Sequence, residues 1–233
     1  MTASSQGVLD RYGSTLRKRD HVAWLIVRTT VVTTAKIWFR YEVHGRENLP
    51  KDPAFILSPV HRSNLDTPLL PVIRYRQIRF MGKESLWEVN AFSSWFLTLM
   101  GGFPVEREAV DRSAMAAAEG ILERGETLVM FPEGTRRSGP IVQEENMHDG
   151  PSFVSGRAQV PIVPVGIAET EAAMPKGKRF VRPVKLVFVI GEPIAPPEQN
   201  EKGRVPRSAM KAHTELLRQR LQELFDEAKV LRG

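Results

Sequence analysis

Apolar positions recur along this chain in two rhythms: a helical one near each end, and short strand-length runs between. Trp24, Val27, Val31, Ala35 and Trp38 return every three or four residues, which predicts a helix over residues 21–40. Leu25, Ile26 and Val32 lie elsewhere on its wheel, so its apolar surface is wide. From residue 41 onward, short apolar runs predict strands over 54–58, 77–81, 102–106, 127–131, 160–167 and 184–190. Ala114, Met115, Ala118, Ile121 and Leu122 mark an amphipathic helix, and Met210, His213, Leu217, Leu221, Leu224 and Ala228 mark another at the end of the chain. Thr67-Pro68 reads as an N-cap with proline at the first helical position. Strands alternating with helices predict an α/β fold, with a mainly parallel twisted sheet flanked by helices. The expected organisation is an N-terminal helical, membrane-associating segment over 1–40 and one α/β domain over 41–233.

Three details of the pattern carry further expectations. Arg11, Arg17, Lys18 and Arg19 precede the first helix, which has tryptophans toward its two ends. That suits a helix lying in a membrane interface, with packing on its own domain as the alternative. Arg28 and Lys36 interrupt its apolar run, so no spanning helix is expected. Residues 89–105 hold no charge, break at Gly101-Gly102, and are too short to cross a bilayer; such a length suggests an interfacial or buried segment. Residues 138–150 are polar, include Glu144, Glu145, His148 and Asp149, and read as a solvated loop.

Composition narrows the function classes. The chain has 233 residues and no cysteine, so a disulfide, a thiolate zinc site and a cysteine nucleophile are excluded. Lysine and arginine outnumber aspartate and glutamate by 33 to 27, which points to an anionic partner: nucleic acid, anionic lipid or a phosphorylated substrate. Without zinc ligands or an aromatic RNA-binding signature, a nucleic-acid partner is not expected. No Gly-x-Ser-x-Gly elbow is present, which disfavours a serine hydrolase. The polar start of the chain shows no secretory pattern.

Four segments carry candidate chemistry. In His61-Arg62-Ser63-Asn64-Leu65-Asp66, a histidine can accept a hydroxyl proton and a carboxylate can fix its tautomer. On a regular helix that spacing would set the two about 140° apart, so they can pair only on a connecting turn. The turn after a strand is also where open α/β sheets bind ligands. In Phe131-Pro132-Glu133-Gly134-Thr135-Arg136, Gly134 permits a tight turn, Thr135 can donate, and Arg136 can grip a phosphate. Residues 101–107 deliver Arg107 to a strand end. The run Val160-Pro161-Ile162-Val163-Pro164-Val165 puts prolines in a strand, which predicts an edge position or a bulge and an element that shapes a groove.

In this order and spacing, the four segments resemble the motifs of the glycerophospholipid acyltransferases, the family of lysophosphatidate and glycerol-3-phosphate acyltransferases. The third motif, Glu-Gly-Thr-Arg, is matched without change. The resemblance implies a membrane-surface enzyme that moves a fatty acyl group from acyl-CoA or acyl-carrier protein to a hydroxyl of a glycerol-phosphate acceptor. It implies His61 as general base and Asp66 as its orienter. Arg107, Arg136 and Lys83 are expected on the acceptor phosphate. Glu133, Gly134 and Thr135 are expected to order the turn, and Val160, Pro161, Ile162 and Pro164 to form the acyl groove. Oxyanion donors are expected among backbone N–H groups near the first motif. No metal and no cofactor beyond the acyl thioester co-substrate is expected, and the expected location is the cytoplasmic face of the plasma membrane, peripheral or monotopic. The competing reading is a non-catalytic basic module that binds lipid surfaces or nucleic acid.

Overall fold

In the computed structural model, which describes residues 18–52, 54–74, 76–105, 112–178 and 180–233, the central apolar runs become one sheet. Its strands among the described residues are β1 (Glu42–His44), β2 (Ile56–Pro59), β3 (Ile78–Lys83), β4 (Gly102–Val105), β5 (Thr127–Val129), β6 (Ile162–Ala168) and β7 (Val187–Ile190). They lie in the order β1-β7-β6-β2-β5-β3-β4. Neighbouring pairs are parallel except β6 and β7. The helices are α1 (Lys18–Phe39), α2 (Asp66–Leu69), α3 (Ala91–Leu99), α4 (Arg112–Glu123), α5 (Gly150–Ala158), α6 (Thr170–Ala173) and α7 (Arg207–Arg232). The fold is therefore α/β with a mainly parallel sheet, and β2, β5, β6 and β7 are buried along their whole length. Central strands covered on both faces read as apolar runs rather than as an alternation.

The sequence rhythm misplaces several details. Thr67 is not an N-cap: α2 begins at Asp66 and lasts one turn before a 3₁₀ turn over Leu70–Val72. Pro68 fits because it falls in the first turn, where backbone N–H groups have no intrahelical partner. β6 is not an edge strand but lies between β2 and β7. Pro164 is tolerated there because the N–H it lacks falls where the β7 ladder ends, while its carbonyl still accepts from Gly191 N (3.0 Å). Beyond that point the register shifts by one residue, since Val165 faces Ile190 but Ile162 faces Ile194. The bulge reading thus describes this junction, and the edge reading does not.

Residues 138–150 are mostly exposed but are anchored at Val142. Val142 is fully buried, and its N–H donates to Gln222 Oε1 of α7 (2.7 Å). α5 follows directly and has no clear apolar rhythm: its Gly, Pro and Ser residues read as loop, yet Pro151, Ser152, Val154 and Ser155 are buried.

α7 lies across β6 and β7 with His213, Leu217, Leu221, Phe225 and Ala228 facing inward. Leu217 and Leu221 are fully buried, each contributing roughly 1.5–3 kcal/mol. The close approach needs Gly166 in β6, where an added Cβ would stand 2.2 Å from Leu224 O. His213 joins this helix to the body: Nε2 donates to Ala195 O (3.0 Å), and Ser152 Oγ lies 2.9 Å from Nδ1. Burial lowers its pKa from the ordinary 6.5, with the Ala195 bond acting in the opposite sense. The unfolded chain therefore takes up this proton before the folded one does. The stability contribution is complete above 6.5 and is lost as pH falls below it. In urea titrations at about pH 7.5 and about pH 5, His213→Gln should show a smaller acid-induced drop in midpoint than the wild type.

α1 has two distinct faces. Trp24, Arg28, Ala35 and Phe39 are buried against the body. Val22, Ile26, Thr29, Thr33 and Ile37 form an uncharged outer stripe and are all exposed. Residues 20–39 are long and apolar enough to cross a membrane by length and composition, contrary to the sequence expectation. Arg28 does not interrupt the outer stripe because it turns inward, donating to Pro71 O (3.2 Å) and Arg74 O (3.4 Å). Arg11 and Arg17, and the side chains of Lys18 and Arg19, lie outside the described residues.

Candidate active site

Parallel pairing of β2 with β5 sets the carboxyl ends of these strands side by side, with Leu57 opposite Val129. The loops that follow them carry the first and third motifs, so segments some seventy residues apart meet at one edge of the sheet. His61 Nδ1 lies 2.9 Å from Asp66 Oδ2. The same oxygen accepts from the main-chain N–H of Arg62 and of Ser63, each at 2.7 Å. A carboxylate can only accept here, so Nδ1 carries a proton, and in the neutral imidazole the lone pair is on Nε2. Asp66 is fully buried, whereas the His61 side chain keeps 16% of its surface. The imidazole stacks on Phe131 of the third motif, with ring centres 4.0 Å apart.

Glu133 joins the two motifs. Its Oε2 accepts from His61 N at 2.9 Å, and both its oxygens lie 2.7 Å from Arg62 Nη1. Both side chains of this ion pair are essentially buried. Arg62 also donates to Ile141 O (3.3 Å) and lies over the Phe225 ring of α7 at 5.1 Å. A fully desolvated pair with this many partners fixes the turn that carries His61, as a tight buried network can. The main chain closes the same junction, with Arg137 N donating to His61 O (2.9 Å). Gly134 takes a φ of +63° beneath His148, whose ring a Cβ would meet at 2.8 Å. The position thus requires glycine both for conformation and for space.

His61 and Arg136 line one cavity of about 480 Å³ together with Asn64, Thr67, Gly134 and Thr135. The rest of its wall is apolar: Val31 of α1, Ile78, Phe80 and Met81 of β3, and Phe96, Leu97 and Met100 at α3. From Gly82 to Ile78 it follows the face of β3 toward the opposite edge of the sheet, about 13 Å at the rise of a strand. Arg136 makes no hydrogen bond or ion pair with another of the described residues, so its guanidinium is available to an anion.

Other expected residues are placed differently. Arg107 lies outside the described residues. Lys83, at the end of β3, is exposed and does not line the cavity. Val160, Pro161, Ile162 and Pro164 do not form its wall either: Ile162 and Val163 are fully buried in the centre of the sheet, and β3 and α3 take the groove-lining position instead. The amides of His61, Arg62 and Ser63 cannot serve as oxyanion donors, because Glu133 and Asp66 hold them. Arg62 escaped the sequence reading altogether. Its signal, a buried countercharge, exists only after the chain has folded.

Comparison with known proteins places this geometry. A family model described as Acyltransferase matches residues 40–168, more than half of the chain. The chain is 30% identical over 185 residues to a 1-acyl-sn-glycerol-3-phosphate acyltransferase of Bacillus subtilis (strain 168), covering 78% of this chain and 87% of that protein. It is 28% identical to a protein of the same description from Saccharomyces cerevisiae, covering 91% and 70% of the two chains. The crystal structure of the 1-acyl-sn-glycerophosphate (LPA) acyltransferase PlsC from Thermotoga maritima superposes with a TM-score of 0.70 at 27% identity, over 95% of this chain and 88% of that one. The family match, the relatives and the shared fold agree with the paired motifs, and the chain belongs to the acyltransferase family as an O-acyltransferase.

Proposed function

We propose that the protein transfers a fatty acyl group from acyl-CoA or acyl-carrier protein to the free hydroxyl of 1-acyl-sn-glycerol 3-phosphate, giving phosphatidate, with glycerol 3-phosphate as the close second acceptor. The observation that carries this reading is the mixed cavity, which sets at one end a histidine and an arginine without a partner among the described residues, and at the other an apolar trough. His61 Nε2 takes the hydroxyl proton as the acceptor oxygen attacks the thioester carbonyl. The C–S bond then breaks, and the departing thiolate receives that proton from the imidazolium. No acyl-enzyme is needed. Arg136 holds the acceptor phosphate, assisted by Arg107 as the motif resemblance implies, and the apolar trough takes an acyl chain. Among the described residues, the N–H groups of Asn64 and Arg136 have no protein acceptor, and both residues line the cavity. These amides are the candidate oxyanion donors.

The acceptor and product are lipids, which supports work at a bilayer on the cytoplasmic face of the plasma membrane. Two exposed apolar surfaces near the cavity fit that setting: the outer stripe of α1, and Leu86, Val89, Phe92 and Trp95 around α3.

The test is an assay of purified protein with palmitoyl-CoA against lysophosphatidate, glycerol 3-phosphate and other lysophospholipids, with positional analysis of the products. Turnover of none of the phosphate acceptors would overturn the reading. In the same assay, Arg136→Ala should lower kcat/KM for the phosphate acceptor about 10–100-fold, the scale of a hydrogen bond to a charged group, and leave the donor KM unchanged. A change confined to the donor KM would move Arg136 to the donor site.

A further inference from the structure

Between Glu171 and Glu192 the chain holds no acidic residue but five basic ones, Lys176, Lys178, Arg179, Arg182 and Lys185. The segment joins β6 to β7. Lys176, Lys178 and Arg182 are exposed and form no ion pair among the described residues, while Lys185 pairs with Glu42 (3.1 Å). Phe180 stands among them with 89% of its surface exposed, more than any other large apolar side chain among the described residues. A phenyl ring left in water is unfavourable on hydrophobic grounds, and the exposed cations around it offer an attraction to an anionic surface.

The segment is nevertheless fastened where it matters. Arg182 N donates to Ala173 O (2.8 Å), and Lys178 N donates to Pro175 O (3.0 Å). At its start, Met174 O accepts from Ser63 Oγ (3.1 Å), which belongs to the turn that carries His61. At its far end, Pro183 O accepts from Arg40 (3.3 Å), and Leu186 N donates to Phe39 O (3.2 Å). Those bonds tie it to the end of α1, where Ile37 and Trp38 are exposed. Ala168 faces Val187 across the ladder, so the segment stands at the same edge of the sheet as His61.

We infer that residues 174–185 are a docking loop for an anionic bilayer surface, with Lys176, Lys178 and Arg182 against lipid phosphates and Phe180 inserted among the upper acyl carbons. Cations flanking a protruding aromatic ring satisfy both halves of an interfacial contact. An acidic carrier protein would match the charges, but continuity with Ile37 and Trp38 extends the surface as apolar groups beside cations, which fits a bilayer. The inference rests on the reading that the enzyme works at a membrane. It extends the surface from the end of α1 with a contact that neither the outer stripe of α1 nor α3 supplies, and this contact brings the His61 turn to the headgroup layer.

The test uses the full chain with vesicles of phosphatidylcholine alone and of phosphatidylcholine with phosphatidylglycerol, at low and high salt. The variants are K176E/K178E/R182E and, separately, Phe180→Ser. Flotation should show the triple variant losing on the order of 100-fold in partitioning to anionic vesicles, given the contribution of each cation near such a surface. Phe180→Ser should weaken binding to both vesicle types. Turnover of short-chain monomeric substrates should stay at the wild-type level in both variants, which shows that the fold and the His61 site are intact. Wild-type flotation of the triple variant would overturn the assignment. So would normal flotation combined with a loss confined to turnover with an acyl-carrier-protein donor. If the wild type floats on anionic vesicles but acylates no glycerol phosphate, the proposed substrate is wrong while the flotation data still decide the loop.

Discussion

Replacing His61 with alanine is expected to reduce acyl transfer at least 10²–10⁴-fold, the typical effect of losing a general base, and more if the imidazole also orients the acceptor. The protein should stay folded. The imidazole is partly exposed at the cavity, and Asp66 would keep its two main-chain donors from Arg62 and Ser63. Asp66→Asn is the sharper probe. The asparagine carbonyl can take the place of Oδ2 and keep its contacts with the two amides and with Nδ1, but it carries no negative charge to stabilise an imidazolium. His61 would then lose the countercharge for its protonated form, so a large drop in kcat is expected with little change in KM. Turnover at fixed saturating substrate, with far-UV circular dichroism and a melting curve on each variant, decides the matter. Near-normal rates in folded His61→Ala protein would remove the base from the mechanism.

The second large effect is expected at Glu133, and it should appear first as stability. Glu133→Ala leaves the Arg62 guanidinium buried beside His61 with no countercharge, and removes the acceptor of His61 N. Breaking one side of such a pair costs about 3–5 kcal/mol. Replacing both partners with apolar side chains of similar volume, as in R62M/E133L, should be markedly less harmful than Glu133→Ala alone. Even so, that double variant should remain poorly active, because the turn carrying the base has lost its clamp. Urea unfolding and turnover measured on the single variants and the double variant separate the two contributions. A loss below ~1 kcal/mol for Glu133→Ala would show that solvent reaches the pair.

The chain declares its sheet more openly than its site. A central strand such as β6 is written as an uninterrupted apolar run because both faces are covered, and α4 and α7 are written as helical rhythm. β1 is three residues long and half-buried at an edge, so it leaves little trace. α5 hides because buried serines and a glycine carry its packing in place of an apolar stripe. At the site, the pairing of His61 with Asp66 follows from a turn after a strand, and the proximity of Arg136 follows from the order of the motifs. The Arg62–Glu133 clamp was not legible, since a charged residue in a polar turn gives no sign that it will be buried. Residues 160–164, expected at a groove, do not line this cavity for a similar reason. Apolar character marks a residue as buried but does not say whether it faces the core or a cavity, and strand order alone decided that β3 would face the cavity.

The Arg62 side chain touches three regions of the polypeptide: its own turn, Glu133 after β5, and Phe225 in the last helix. These regions leave the ribosome at different times. At roughly 5–20 residues per second, the histidine turn emerges on the order of ten seconds before the ring that covers its arginine. Until then the guanidinium remains hydrated and the clamp is incomplete. Catalytic competence is therefore a late event in biosynthesis. An unfinished chain would carry His61 on a turn not yet set, and would acquire chemistry only as the final helix closed over the sheet.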